Sequence, residues 1–214
     1  MDEEVSIIDS KTRSEKIKNF LINNRKKIIL FFVFLILILV SFYSYRIYEN
    51  KQRQFISDKY NNLIIEYQQG SNTKIISSMK EIVLKEDSTY SPLALYFLID
   101  EELIKDRDEI NDLFDILIKE TSLEKEIKNL IIYKKALYNA DNAQESDLLN
   151  MLNPLINSKS VWKSHSLYLM GEYFYANNQN QKAKEFFNQI ILLENSNPEI
   201  RLQTEKRLNR DLSE

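Results

Sequence analysis

The sequence predicts an all-α protein: one N-terminal transmembrane helix followed by an α-solenoid of helical hairpins. Three observations carry this reading. No residue from Ile28 to Tyr45 is charged, and every position from Ile28 to Val40 is apolar. The 214-residue chain holds only two glycines and three prolines, too few turn formers for an all-β fold. Beyond Arg46, apolar residues recur at helical spacing in blocks separated by short turns rich in Asn, Asp and Ser.

The apolar stretch is read as a membrane span. Ile28–Tyr48 is 21 residues, about 31 Å of helix, which matches the hydrocarbon thickness of a bilayer. A buried soluble helix would show a polar stripe, and none is present. Ile28, Phe31, Phe34, Leu37 and Val40 are expected to face lipid as the membrane anchor. Tyr43, Tyr45 and Tyr48, with Phe42, form the interface belt at the exit. Arg25, Lys26 and Lys27 abut the entry, with Arg13, Lys16 and Lys18 upstream, whereas Lys51, Arg53 and Lys59 beyond the exit are sparser. The positive-inside rule then keeps residues 1–27 in the cytoplasm and exports residues 49–214. A cleaved signal would need small residues after the span, and Ser41-Phe-Tyr-Ser-Tyr-Arg46 is bulky, so the span is expected to stay as a signal anchor. Between Lys16 and Arg25, the apolar Ile17, Phe20, Leu21 and Ile22 suit either a short amphipathic helix on the inner leaflet or an ordinary basic flank.

Residues 49–214 are long enough for one domain with a proper core. They carry 27 acidic and 21 basic side chains, a net charge of −6, which disfavours nucleic-acid binding. Cysteine is absent, so packing alone must hold the domain together.

Each helix has its own start and stop signals. No breaker interrupts Arg46–Gln69, where Phe55, Ile56, Tyr60, Leu63, Ile64 and Tyr67 form one helical face, so the span can run on into the first exported helix until Gly70 caps it. A second helix, about Thr73–Lys85, is expected to bury Ile75, Ile76, Met79, Ile82 and Val83. Ser91-Pro92 reads as a capping serine followed by proline at the first helical position, opening a third helix to about Lys105. The fourth spans about Asp108–Lys119. Thr121-Ser-Leu-Glu124 reads as a capping box for a fifth that runs to about Asn139, with Ile127, Leu130, Ile131, Lys134 and Leu137 along its length. A sixth covers about Ser146–Asn157. The seventh, about Ser160–Asn177, and the eighth, about Gln181–Glu194, form the clearest pair. A polar ninth, about Glu199–Asp211, caps the array.

That last pair fits the tetratricopeptide pattern. Gly171 takes the close-approach position of the first helix, the aromatic Phe174 follows three residues later, Ala183 stands 12 residues on, and Phe187 lies four beyond it. The small residues let the two helices approach, and the aromatics fill the wedge toward the next repeat. The hairpins are therefore tetratricopeptide-like. With the basic flank Ile17–Lys27, the span, the Tyr-rich exit, the helix start Tyr90–Leu95 and the stretch Trp162–Phe187, the chain resembles the ancillary subunit family of the bacterial Sec translocon. The resemblance implies an inner-membrane protein with its repeat domain in the periplasm. It implies association with Sec translocon subunits and with a membrane-anchored periplasmic chaperone. The tetratricopeptide domain of a cell-division coordinator shares this fold, so fold alone does not choose between them.

No catalytic group stands out. His165 is the only histidine and reads as a plain helix residue. Asp106–Asp112 has a superficial likeness to a calcium loop but lacks the turn glycine and the distal glutamate, so it reads as a solvated helix start. Two isolated glycines cannot build a phosphate loop. No cofactor or metal is expected. Tyr168 and Tyr175 are seven residues apart and share a helix face, a possible partner surface as well as possible packing. The expected function is that of a non-enzymatic, membrane-anchored interaction module; the alternative is an envelope scaffold for cell division or wall synthesis.

Overall fold

The computed structural model describes residues 15–16, 18–70 and 74–212, and these residues are helical with no strand among them. Two compact units divide the chain, the first ending at Phe55 and the second beginning at Ile56.

In the first unit, residues 18–23 are helical, and Asn24 makes a turn whose side chain donates to the Phe20 carbonyl at 3.0 Å. Of the flank residues named above, Arg13 and Ile17 lie outside the described residues. Helix α1 then runs from Arg25 to Gln68 as one uninterrupted helix of 44 residues. It is long and apolar enough to cross a membrane: its most apolar 18-residue window has a mean hydropathy of 2.7, and none of that window is buried. Phe31, Phe34, Leu37 and Val40 are exposed and Ile28 is half-buried; Tyr43, Tyr45 and Tyr48 are all exposed.

The second unit contains the end of α1 and helices α2 (Ile75–Val83), α3 (Tyr90–Asp100), α4 (Arg107–Lys119), α5 (Lys125–Asn139), α6 (Glu145–Ile156), α7 (Lys163–Ala176), α8 (Asn180–Leu192) and α9 (Pro198–Lys206). A π-helical turn, Arg207–Asp211, follows α9. Successive helices from α2 onward pack on each other, and α2 also meets α4, α5 meets α7, and α7 meets α9. At the end of α1, Ile56 and Leu63 are buried, Tyr67 meets the Phe97 ring edge-on at 5.1 Å, and Gly70 leaves the helix with φ +85°. That left-handed backbone suits glycine and ends the helix where expected.

Two starts differ from expectation. Helix α3 begins at Tyr90, because the Asp87 carboxylate accepts from the Thr89 and Tyr90 amides at 2.9 and 2.7 Å. Ser91 is therefore not the cap. Its buried hydroxyl donates to the Ile82 carbonyl at 2.7 Å, tying α3 to α2, while Pro92 still falls in the first turn where no amide is needed. The capping box at Thr121 does not form either. The Thr121 amide closes the end of α4 on the Ile116 carbonyl at 3.2 Å, and α5 starts at Lys125 with no side-chain cap. In contrast, Asp106 caps α4 by accepting from the Asp108 and Glu109 amides, as a solvated helix start requires.

The buried side chains form two cores. The first joins the end of α1 to α2, α3, α4 and Ile131 of α5. The second runs from Ala136 of α5 through α6, α7 and α8 to Leu212. Helix α5 thus serves both cores, with Ile131 and Tyr138 toward the first and Ile132, Tyr133, Ala136 and Ala140 toward the second.

Candidate interaction surfaces

The α7–α8 pair is the tightest contact in the domain, and the four residues expected to pack it meet there. Phe174, Ala183 and Phe187 are fully or nearly buried. The Phe187 ring lies directly on Gly171: a methyl at position 171 would stand 2.7 Å from its Cδ1 and 2.8 Å from its Cζ. Only glycine leaves room for that ring. Phe174 stacks on Phe186 at 5.3 Å, and Tyr168 meets Phe187 at 5.5 Å.

Tyr168 and Tyr175 do share a face of α7, but a residue from the C-terminal turn covers it. The Arg207 guanidinium lies 4.9 Å from the Tyr175 ring centroid. It also forms a two-pronged pair with Glu172, Nε to Oε1 at 2.7 Å and Nη2 to Oε2 at 2.6 Å, and a third bond to Asp211 at 2.9 Å. Arg210 completes the group on Asp211 at 2.7 Å. Arg210 and Arg207 together hold the Asp211 carboxyl well below the usual carboxylate range. Burial, followed by Glu172, raises the Tyr168 phenol above its ordinary value. Arg207 was not singled out by the sequence, since a polar final helix gives no sign of which side chain reaches back.

Next to it, Trp162 stacks on Tyr133 at 5.7 Å, and His165 meets Trp162 at 5.0 Å. Burial keeps His165 below the usual imidazole range against the opposing pull of the Val161 carbonyl and Glu199. The Glu126 carboxylate accepts from the Ser160 hydroxyl at 2.7 Å and the Val161 amide at 3.3 Å, and the indole N–H of Trp162 donates to the Glu126 carbonyl at 3.1 Å. These bonds clamp the start of α7 to the start of α5.

A second surface lies on α3 and α5. On α5, Ile127, Leu130, Lys134 and Leu137 follow at steps of three, four and three, yet neither core includes the three apolar ones. Ile127 is 41% exposed and Leu137 50%. Of the residues along this helix, Ile131 and Ala136 are buried, Leu130 is half-buried, and Ile127 and Leu137 point outward. On α3, Leu93, Tyr96 and Asp100 share a face in the same way, with Leu93 40% exposed. The starts of the two helices enclose a cleft of about 470 Å³ lined by Thr89, Pro92, Leu93, Leu123, Glu124 and Ile127. Farther along, the Lys134 ammonium sits 4.3 Å from the Tyr96 ring centroid, and burial raises the Tyr96 phenol. At the far ends, Asp100 closes α3 and Glu101 and Glu102 follow it, while Asp141 follows α5, whose Tyr138 carries the Arg107 guanidinium at 5.4 Å from its ring centroid.

Among the described residues, no group of three or more His, Asp or Glu side chains is placed to hold a metal ion. Comparison of the chain with family models, with curated proteins and with solved structures finds no match.

Proposed function

We propose that this chain is a non-enzymatic, membrane-anchored protein–protein interaction module. The observation that carries this reading is α1, whose apolar window is unburied over its whole length and whose helix continues without a break into the first core of the domain. A side-chain surface of that kind needs a lipid solvent, because water would charge about 25 cal/mol for each Å² of it. Residues 1–27 then remain in the cytoplasm and residues 49–214 stand in the periplasm, as the flanking basic residues favour. The helix pairs form an array of tetratricopeptide-like hairpins, supported by the Gly171–Phe187 contact and by the packing of alternate helices α5, α7 and α9. On this reading the protein is an ancillary subunit of the Sec translocon that links it to a membrane-anchored periplasmic chaperone.

The test is crosslinking in intact cells followed by affinity purification from membranes. Translocon and chaperone subunits are the expected products. Their absence under conditions that keep the translocon intact, together with enrichment of a fluorescent fusion at the division site, would move the protein to the envelope-scaffold class. Protease protection in spheroplasts checks orientation: cleavage of residues 49–214 from outside is expected.

A further inference from the structure

The two ends of the apolar stretch of α1 carry different charge. Residues 15–27, at its entry, hold five cations (Lys16, Lys18, Arg25, Lys26 and Lys27) against one acid, Glu15, a net charge of +4. An equal length at its exit, residues 46–58, holds Arg46, Lys51 and Arg53 against Glu49 and Asp58, a net charge of +1. Two of the exit cations are also engaged: the Arg46 guanidinium lies 5.4 Å from the Phe42 ring centroid, and Arg53 has a partner within the chain. The five entry cations are exposed and form no ion pair among the described residues. Arg25, Lys26 and Lys27 are the first residues of α1. Successive helical residues are about 100° apart, so the three fan over more than half of the helix circumference. They precede Ile28 by no more than about 4.5 Å along the axis. That places them in the headgroup layer, which is about 5–7 Å deep on each side of the hydrocarbon. Phe20, Leu21 and Ile22 stand between the two groups of cations and are 63%, 49% and 55% exposed. The turn at Asn24 joins their short helix to α1. Apolar side chains flanked by cations suit a segment at a membrane surface, with the apolar groups at the acyl boundary and the charges among the headgroups.

We infer that the five cations of residues 16–27 bind the headgroups of anionic phospholipids in the leaflet that meets the N-terminal end of α1. This rests on the reading of α1 as a membrane span and adds a lipid partner to it. A zwitterionic headgroup balances its own phosphate, whereas an anionic one leaves that charge for the protein to neutralise. Arg25 suits a phosphate gripped through two parallel N–H bonds, and the lysines act as point charges around it. The exit end, with its lower net charge and engaged arginines, selects no headgroup.

The chain has no cysteine, so a single donor dye can be placed at the entry through Asn23→Cys or at the exit through Gln52→Cys. The full chain is reconstituted into phosphatidylcholine nanodiscs that carry a trace of acceptor-labelled lipid, either phosphatidylglycerol or phosphatidylcholine, with the label on the acyl chain. The expected result at the entry dye is an enrichment of the phosphatidylglycerol acceptor over the phosphatidylcholine acceptor of about five-fold, the preference that a single basic residue near an anionic surface supplies. At the exit dye the two acceptors should transfer equally. Raising salt from about 0.1 M to about 1 M shortens the screening length from about 10 Å to about 3 Å and should remove most of the enrichment. Changing Arg25, Lys26 and Lys27 to Gln should at least halve it, and adding Lys16→Gln and Lys18→Gln should abolish it. Circular dichroism and co-elution with nanodiscs confirm that each variant is helical and inserted. Equal transfer to both acceptors at the entry dye, the same enrichment at the exit dye, or an enrichment that survives all five substitutions would overturn the inference. So would its loss to millimolar glycerol phosphate, which assigns the cations to a soluble anion. Any of these from a chain that co-elutes with nanodiscs would overturn this inference alone. A chain that does not enter nanodiscs would overturn the membrane-anchor reading with it.

Discussion

Helices α5 and α7 occupy comparable positions yet finish differently. Each packs on both of its chain neighbours, and the two also touch each other. On α7, Glu172 and Tyr175 are closed over by Arg207 from the C-terminal turn, beside Tyr168, whose ring also packs on Phe187 of α8. On α5, the stripe of Ile127, Leu130, Lys134 and Leu137 keeps Ile127 and Leu137 exposed and Leu130 half-buried, and Lys134 lies on the Tyr96 ring. The difference comes from what the following elements deliver. After α9 the backbone widens into a π turn, with the Leu212 amide bonding the Arg207 carbonyl at 3.1 Å, which brings Asp211 to Arg207 and fixes the guanidinium. The element that packs beside α5 is α7, and its Trp162 stacks on Tyr133, which belongs to the second core. The aromatic face of α7 is closed by the protein's own arginine, whereas Ile127 and Leu137 of α5 stay exposed.

The largest effects should fall on the closed side. Phe187→Ala removes a fully buried ring from the Gly171 contact and should cost about 3–5 kcal/mol in urea unfolding. Gly171→Val forces a side chain into that ring and should cost about 1–3 kcal/mol or more. Wild-type stability in both variants would mean that the α7–α8 pair does not hold the second core. Next in size is Arg207→Ala, which loses the two-pronged Glu172 pair and the Tyr175 contact. These side chains are 27% and 28% exposed, so about 1 kcal/mol is expected. Arg207→Lys should recover little of it, because an ammonium cannot reproduce the planar fork. Faster hydrogen exchange confined to α9 and the end of α7 would mark the uncovered face; uniform loss across the domain would contradict a local cover.

His165 gives a pH test of the boundary between the two surfaces. Burial lowers its folded pKa, so the folded protein favours neutral imidazole and the unfolded chain binds the proton first. Stability from this group is therefore complete above the unfolded value, near pH 6.5, and declines as pH falls below it. His165→Phe should flatten the thermal-unfolding profile between about pH 7 and pH 5. An unchanged slope in that variant would show that the imidazole does not titrate within the Tyr133–Trp162 cluster.

Much of this architecture was readable from local rules. The absence of any breaker before Gly70 left a continuous α1 open without deciding it, and the Gly171, Phe174, Ala183, Phe187 spacing pointed to the α7–α8 contact. Ser91 misled because a hydroxyl before a helix has two uses. It can cap its own helix, or it can belong to the preceding one, and here Asp87 took the cap of α3 while Ser91 bonded Ile82. Arg207 was hidden because its partner Glu172 lies 35 residues away and no periodicity links them. The open stripe of α5 was hidden for the opposite reason. Apolar residues are spread around that helix among Lys128, Lys134 and Lys135, so its own sequence does not say which of them meet a core.

The smallest expected effect is the sharpest test of that last point. Leu137→Ser on the open stripe should change folding stability by no more than about 0.5 kcal/mol, since the leucine is half exposed and belongs to neither core. Ile131→Ala, on the same helix and fully buried, should cost about 2–5 kcal/mol. The two residues differ by less than two helical turns, so helix propensity and position along α5 are nearly matched, and only the face differs. A Leu137→Ser variant as damaged as Ile131→Ala would mean that the stripe is packed within the domain.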